Sequence, residues 1–388
     1  MISMSKTLAA VAAACAAAIL PAHAAEPIRI GAISSISGPL PLPESPAAAR
    51  AVFDRVNAAG GIQGRRIEYL VQDDKADAGA SAQSARDLVD SKGVVAFAGS
   101  SSLQDCTTNG NFYRQRKVLS IPGVGGEFTC YRNKNFAPVS VGPARNTLGS
   151  LLYTAVELKA DKLCAFLLGI PAHTAGNRWA VENFEKISGQ KLHLLDTTVL
   201  PPDDMTPHVL KAKSAGCTAI VFSGAEQMAL AWVKAMKMQG MGDVTLMLMT
   251  PAYTANFAAA LGRDGDGIYT NSEYEPFLGD SPALADWRKL MADNNIPESS
   301  FAQGGYLAAT VLVDVLERIE GPITRESVTA ALRAIKGGQA ITHSMFGDTF
   351  SFDENMDTLK VSSTKFVRLK NGKWQVVTPD YYVVNAIQ

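Results

Sequence analysis

The chain has 388 residues, with 36 Lys and Arg against 37 Asp and Glu, and five Cys. That length predicts two domains of roughly 100–200 residues each. A net charge of −1 with no basic block or stripe argues against nucleic acid as a partner, since phosphate binding needs clustered Lys and Arg.

Lys6 gives a positive start, residues 8–20 form an alanine-rich apolar run, and Pro21 breaks it before Ala22-His23-Ala24. This is the pattern of a secretory signal peptide, residues 1–24, cut after Ala24. The run is shorter than a bilayer-spanning helix needs. Acylation at Cys15 would leave residues 16–20 of the apolar core in the mature chain, so no lipoprotein is expected. No later segment approaches 18 uninterrupted apolar residues, and the exported chain is expected to be soluble. Cys106, Cys130, Cys164 and Cys217 remain after the cut, and an even count in an oxidising compartment favours disulfides. Cys106 and Cys130 flank one βα segment and are expected to pair. Cys164 and Cys217 each stand near the start of a predicted strand, where pairing and two buried thiols both stay open. With no C-x-x-C, a zinc site has little support.

Apolar runs then alternate with helical patterns, the signal for parallel βαβ units. Residues 28–33, 66–72, 94–98 and 118–121 read as strands, separated by helices at 47–59, 80–90 and one ending at 111–116. The pattern restarts after Pro138 and Pro143. Helices are predicted at 147–159, 179–187, 209–214 and 227–238, with strands at 163–168, 192–199, 218–222 and 244–249. A crossing strand follows at 268–271, helices at 283–293, 303–319 and 325–335, and strands at 364–369 and 374–377 around Asn371-Gly372. The late helices need a partner sheet. The economical arrangement is α/β: two doubly wound, Rossmann-like lobes joined by a chain that crosses more than once. Ligands of such sheets bind beyond the carboxyl ends of the strands, here in a cleft between lobes closed by hinge motion.

Ile30-Gly31-Ala32, Ser37-Gly38-Pro39, the stretch Asn57-Ala58-Ala59-Gly60-Gly61-Ile62-Gln63-Gly64 and Gln72-Asp73-Asp74 together resemble the opening of the leucine/isoleucine/valine-binding proteins. These are type I periplasmic solute-binding proteins of ABC importers, and the resemblance extends along most of the mature chain. It implies a periplasmic protein with two lobes and a three-segment hinge, and permease subunits at the inner membrane as partners; a monomer suits a chain that must open and close around its cargo. It also implies a small amphipathic ligand such as an amino acid. The lobes are expected at 25–140 plus 274–350 and at 141–273 plus 351–388, with hinges near 138–143, 269–274 and 349–353.

By the same resemblance, a carboxylate is held by Ser101, Ser102 and Leu103 after the third strand and by Val124, Gly125 and Gly126 after the fourth. Amides and hydroxyls at helix N-termini suit an anion. The same serines could instead only cap the next helix, and residues 123–126 only make a turn. From the second lobe the matching positions are His173, Ala225 with Glu226, and Ala252 with Tyr253, while Phe301 matches an aromatic from the late helices that packs on the ligand's apolar part. His173, read as a loop residue, could donate to a carboxylate or stack on a ring. Two departures stand out: the acid that neutralises an amino group falls at Ala252, and Leu42-Pro43 replaces an aromatic contact. Either Glu226 receives the ammonium, or the solute is a carboxylate without an amino group.

An enzyme is the competing class. Gly99-Ser100-Ser101-Ser102 is not G-x-S-x-G, and Gly123-Val124-Gly125-Gly126 lacks the last glycine of a dinucleotide fingerprint. The histidines His173, His193, His208 and His343 stand singly, so neither metal nor cofactor is expected. Asp73-Asp74 reads as a turn signal, and Met228, Met236 and Met238 as core. A sensory binding domain reporting to a receptor would share the same lobes and cleft.

Overall fold

Strand β1 (Ile28–Ser34) is buried along almost its whole length, as a central parallel strand covered on both faces must be. The computed structural model describes residues 26–38, 40–201, 204–347, 349–352 and 363–384, so the expected signal peptide lies outside the described residues. After β1 come α1 (Glu44–Ala58), β2 (Ile67–Asp73), α2 (Ala78–Arg86), β3 (Ala96–Ala98), α3 (Asp105–Arg116) and β4 (Ser120–Ile121). Their strands form one parallel sheet in the order β2-β1-β3-β4.

The chain then leaves for a second sheet through α4 (Pro143–Leu152), β5 (Leu163–Leu168), α5 (Pro171–Ser188), β6 (Leu194–Val199) and α6 (Thr206–Ala215). It continues through β7 (Ala219–Phe222), α7 (Glu226–Met238), β8 (Thr245–Leu248), α8 (Ala255–Leu261) and β9 (Tyr269–Ser272). Next, α9 (Ala285–Asp293), α10 (Ser300–Glu317) and α11 (Arg325–Ala334) return, and α10 and α11 pack against the first sheet. Finally β10 (Ser363–Lys370), β11 (Lys373–Val376) and β12 (Tyr382–Val383) join the second sheet. Its order is β11-β10-β9-β8-β7-β5-β6, with β12 also on β10; pairing is parallel from β6 to β9 and antiparallel beyond. The chain thus passes between the two sheets three times.

Packing in the second lobe centres on Trp232, whose ring stacks on Phe222 at 4.4 Å between centroids and tilts against Phe166 at 4.9 Å. Met228 and Met236 on the same helix are buried, but Met238 at its end is 73% exposed, so it is surface and not the core residue expected. In the first lobe α10 lies against α1, and glycines set how close they come. A Cβ at Gly305 would lie 1.9 Å from the Ser45 carbonyl oxygen, and one at Gly304 would lie 2.1 Å from that of Gly123. The start of α10 is therefore pressed onto the loop that follows β4.

Both disulfides are formed. Cys106 joins Cys130, and Cys164 joins Cys217 with 5.9 Å between Cα atoms. The second pairing, open in the sequence, follows from topology: Cys164 lies on β5, Cys217 leads into β7, and those strands are neighbours. Helix α5 begins at Pro171, well before the expected position 179, which places His173 in a first helical turn instead of a loop. Its opening residues are polar or small and carry no apolar stripe. Packing supplies what periodicity does not, for Gly176 approaches Phe128 and Trp179 lies 5.8 Å from the Phe128 ring.

Candidate functional site

The loop after β3 is tied to the end of β1. The Ser101 amide donates to Ser34 Oγ at 3.2 Å, and the Leu103 amide donates to Ser35 Oγ at 3.3 Å. Ser101 Oγ donates to the Leu42 carbonyl at 2.8 Å, which brings the proline-rich loop over the site. Ser102 Oγ receives the amides of Gln104 and Asp105 at 2.9 and 2.8 Å and itself donates to the buried carboxylate of Asp74. Its hydroxyl is therefore spent as a helix cap, the plainer of the two roles open to it. The rest of the α3 N-terminus is also filled. Glu127 Oε1 and Oε2 accept the amides of Cys106 at 2.8 Å and Thr107 at 3.1 Å.

What remains for an incoming acceptor is backbone. In the loop after β4, the Val124 amide donates to the Ser100 carbonyl and that of Gly125 to Ser140 Oγ. Among the described residues, the amides of Ser102 and Gly126 have no acceptor, although both residues are buried. An unpaired buried N–H is costly, so such a pair is a place for an acceptor to bind. The two loops touch: a Cβ at Gly126 would lie 2.8 Å from Leu103 Cδ2 and 3.8 Å from the Ser102 carbonyl oxygen.

From the second lobe, the first turn of α5 brings the His173 ring onto the backbone of Gly126. Burial lowers the His173 pKa to about 4, with the Gly126 backbone pulling the other way, so the ring is neutral at ordinary pH. Its Nδ1 is buried without a hydrogen-bond partner. Gly126, Ser102, Leu103 and His173 are thus brought together.

Ala225, Glu226, Ala252 and Tyr253 gather beyond the carboxyl ends of neighbouring strands β7 and β8. Ala225 precedes α7 and Glu226 opens it. The Glu226 Oε2 accepts the Thr254 hydroxyl at 2.8 Å, and Thr254 Oγ1 in turn caps α8 through the Phe257 amide. Ala252 is buried in a short 3-10 turn. Tyr253 is a core residue: its ring packs beside Phe277 and Trp374, and its hydroxyl receives the Leu278 amide at 3.1 Å. Phe301 is half-buried in the first turn of α10.

Sequence reasoning missed the carboxylates that organise these loops. Asp74, taken with Asp73 as a turn signal, is fully buried and accepts the hydroxyls of Ser35 and Ser102. Glu127 carried no signal, because its partners sit twenty residues away. The Glu127 carboxylate and the sulfurs of Cys106 and Cys130 lie within 4.8 Å of one another, but the disulfide removes the thiolates a metal would need.

Between the lobes, the Glu273 carboxylate is buried, and this raises its pKa against the hydrogen bonds it accepts. It receives the Val141 amide at 3.0 Å and Asn146 Nδ2 at 2.5 Å. Asn146 Oδ1 accepts from Asn271, and the Thr364 hydroxyl donates to the Ser272 carbonyl. The first two crossing segments and the start of β10 are joined there.

Residues 27–373 match the periplasmic binding protein family. The chain belongs to that family. Among relatives of this periplasmic binding protein is the "Leu/Ile/Val-binding protein homolog 7" of Brucella abortus, 23% identical with 95% of each chain covered. Another is the "Leucine-, isoleucine-, valine-, threonine-, and alanine-binding protein" of Pseudomonas aeruginosa, 26% identical over 80% of this chain and 83% of that one. A Thermus thermophilus branched chain amino acid ABC transporter protein, solved with bound valine, superposes with a TM-score of 0.78 at 16% identity, covering 92% of this chain and 97% of that one. A possible leucine/isoleucine/valine-binding protein from Rhodopirellula baltica gives 0.76 at 18% identity, covering 93% and 98%. These likenesses establish the fold of this periplasmic binding protein.

Proposed function

We propose that this chain is exported to the periplasm, cut after Ala24, and works as a monomer that captures a small amphipathic carboxylate and delivers it to the permease of an ABC importer. The lobes are 25–140 plus 274–350 and 141–273 plus 351–388. The carboxylate is received by the backbone amides of Ser102 and Gly126 in the loops at 101–103 and 124–126. His173, Ala225, Glu226 and Ala252 face it from the second lobe, with Tyr253 in the core behind them, and Phe301 comes from α10 of the first lobe. The observation that carries the reading is that the amides of Ser102 and Gly126, both buried residues, have no acceptor among the described residues and stand beside the second-lobe histidine. Capture is a shift toward the closed arrangement, in which the solute touches both lobes, and it needs no chemical step. The relatives named for branched-chain amino acids support an amino acid as the solute.

One observation favours a second solute class. Ala252 offers no charge, and an oxygen of Glu226 already holds the Thr254 hydroxyl. An ammonium enclosed without a full counter-charge is costly. A thermal-shift screen of protein refolded to strip bound solute separates the two, since a ligand binding only the folded state raises the melting temperature. Leucine is expected to raise it by several degrees, while 4-methylpentanoate, its analogue without the amino group, is weaker. If the order is reversed, the amino-acid reading fails and the organic-acid reading takes its place.

A further inference from the structure

The first turn of α3 is a shared reference for both candidate solute loops. From one side, Ser102 Oγ takes the amides of Gln104 and Asp105. From the other, Glu127, the residue directly after Gly126, takes the next two amides, Cys106 and Thr107, one on each carboxylate oxygen. The Thr107 and Thr129 hydroxyls meet at 2.6 Å, and the Cys106–Cys130 disulfide closes the same bracket.

Glu127 is only 2% exposed, and no charged side chain is among its hydrogen-bond partners. A buried carboxylate with no charged hydrogen-bond partner is tolerated here because it sits at the positive end of a helix and accepts N–H groups with both oxygens. No other side chain type offers two acceptor oxygens at this length. A glutamine would keep one and turn an N–H₂ toward an amide N–H. With the disulfide already holding the chain segments together, the carboxylate sets something finer than connectivity: where the unpaired Gly126 amide stands relative to that of Ser102.

We infer that Glu127 is a positioning residue, whose carboxylate holds the loop carrying Gly126 in register with the loop carrying Ser102 so that both amides meet one solute acceptor. This rests on reading those loops as the solute site. It adds a determinant of affinity that itself makes no contact with the solute.

The test uses full mature protein carrying E127Q or E127A with both disulfides intact; E127Q preserves volume and keeps the comparison open should E127A fold poorly. Two readouts are taken, amide hydrogen exchange and calorimetric affinity for leucine and for 4-methylpentanoate. A cap alone would speed exchange at Cys106 and Thr107 and lower the melting temperature. Positioning predicts, in addition, faster exchange through residues 101–103 and 123–126. It also predicts affinity weaker by about tenfold in E127Q and by more in E127A, as loss of hydrogen bonds to a charged group implies. Exchange changes confined to Cys106 and Thr107, with affinity unaltered, would overturn the inference. If the wild-type protein binds neither probe, it is the solute reading of the loops that fails, and the exchange pattern alone decides the role of Glu127.

Discussion

Asp105 shows how much a single buried group contributes around the site. Its Oδ1 accepts Asn109 Nδ2 at 2.8 Å and the Tyr113 hydroxyl at 2.9 Å, while Oδ2 is buried without a partner. Burial, reinforced by the nearby carboxylates of Glu127 and Asp74, pushes its pKa up to about 7. The folded protein therefore holds this proton more tightly than the unfolded chain, whose value is about 3.9. Stability from this group is complete below the unfolded value and is lost as pH rises through about 7. Asp105→Asn removes that loss, so the melting temperature of the variant relative to wild type should climb between about pH 4 and pH 7 and level off above. A difference that stays constant across that range would mean that Asp105 does not titrate as its surroundings require. His173 is the converse, a ring that burial keeps neutral, and the sequence could not tell it from a solvated loop histidine. The same holds for Asp74 and Glu127: their identities are visible in the chain, but their partners come from other segments.

At the scale of elements, strands were the most legible. Continuous apolar runs located β1, β5 and β7 to within a residue or two, because a buried parallel strand cannot be polar on either face. Helix starts were less so. The first turns of α5 are held by packing on Phe128, and α10, which begins at Ser300, carries Gly304 and Gly305 in its second turn, where close approach to Gly123 and to α1 matters more than helix propensity. Gly305→Ala should therefore destabilise the protein by about 1–3 kcal/mol, since its Cβ would meet the Ser45 backbone. Urea unfolding measures this directly. An alanine tolerated without loss would show that α10 can slide away from α1, and the loop after β4 would then lack its support.

For the whole molecule, the restart of the βα pattern after Pro143 and the surplus of late helices implied two sheets and repeated crossing, and the sheets are built that way. What the pattern could not carry is the join. The Glu273 carboxylate ties Val141 and Asn146 to the second crossing, and Thr364 adds the start of β10, through contacts more than ninety residues apart in sequence. Nor could it show which predicted site residues act together: Tyr253 reads as a cleft aromatic and is core, whereas His173 meets Gly126 from the other lobe. The central claim is that a small solute is held between the lobes at Gly126. The direct test is calorimetry of solute binding to wild-type protein and to Gly126→Trp, with circular dichroism confirming that the variant is folded. The account predicts that the solute giving the largest thermal shift binds the wild type and is lost entirely in the variant, whose indole fills the space between Leu103 and His173. Equal affinity in the two proteins would place the solute elsewhere and contradict it.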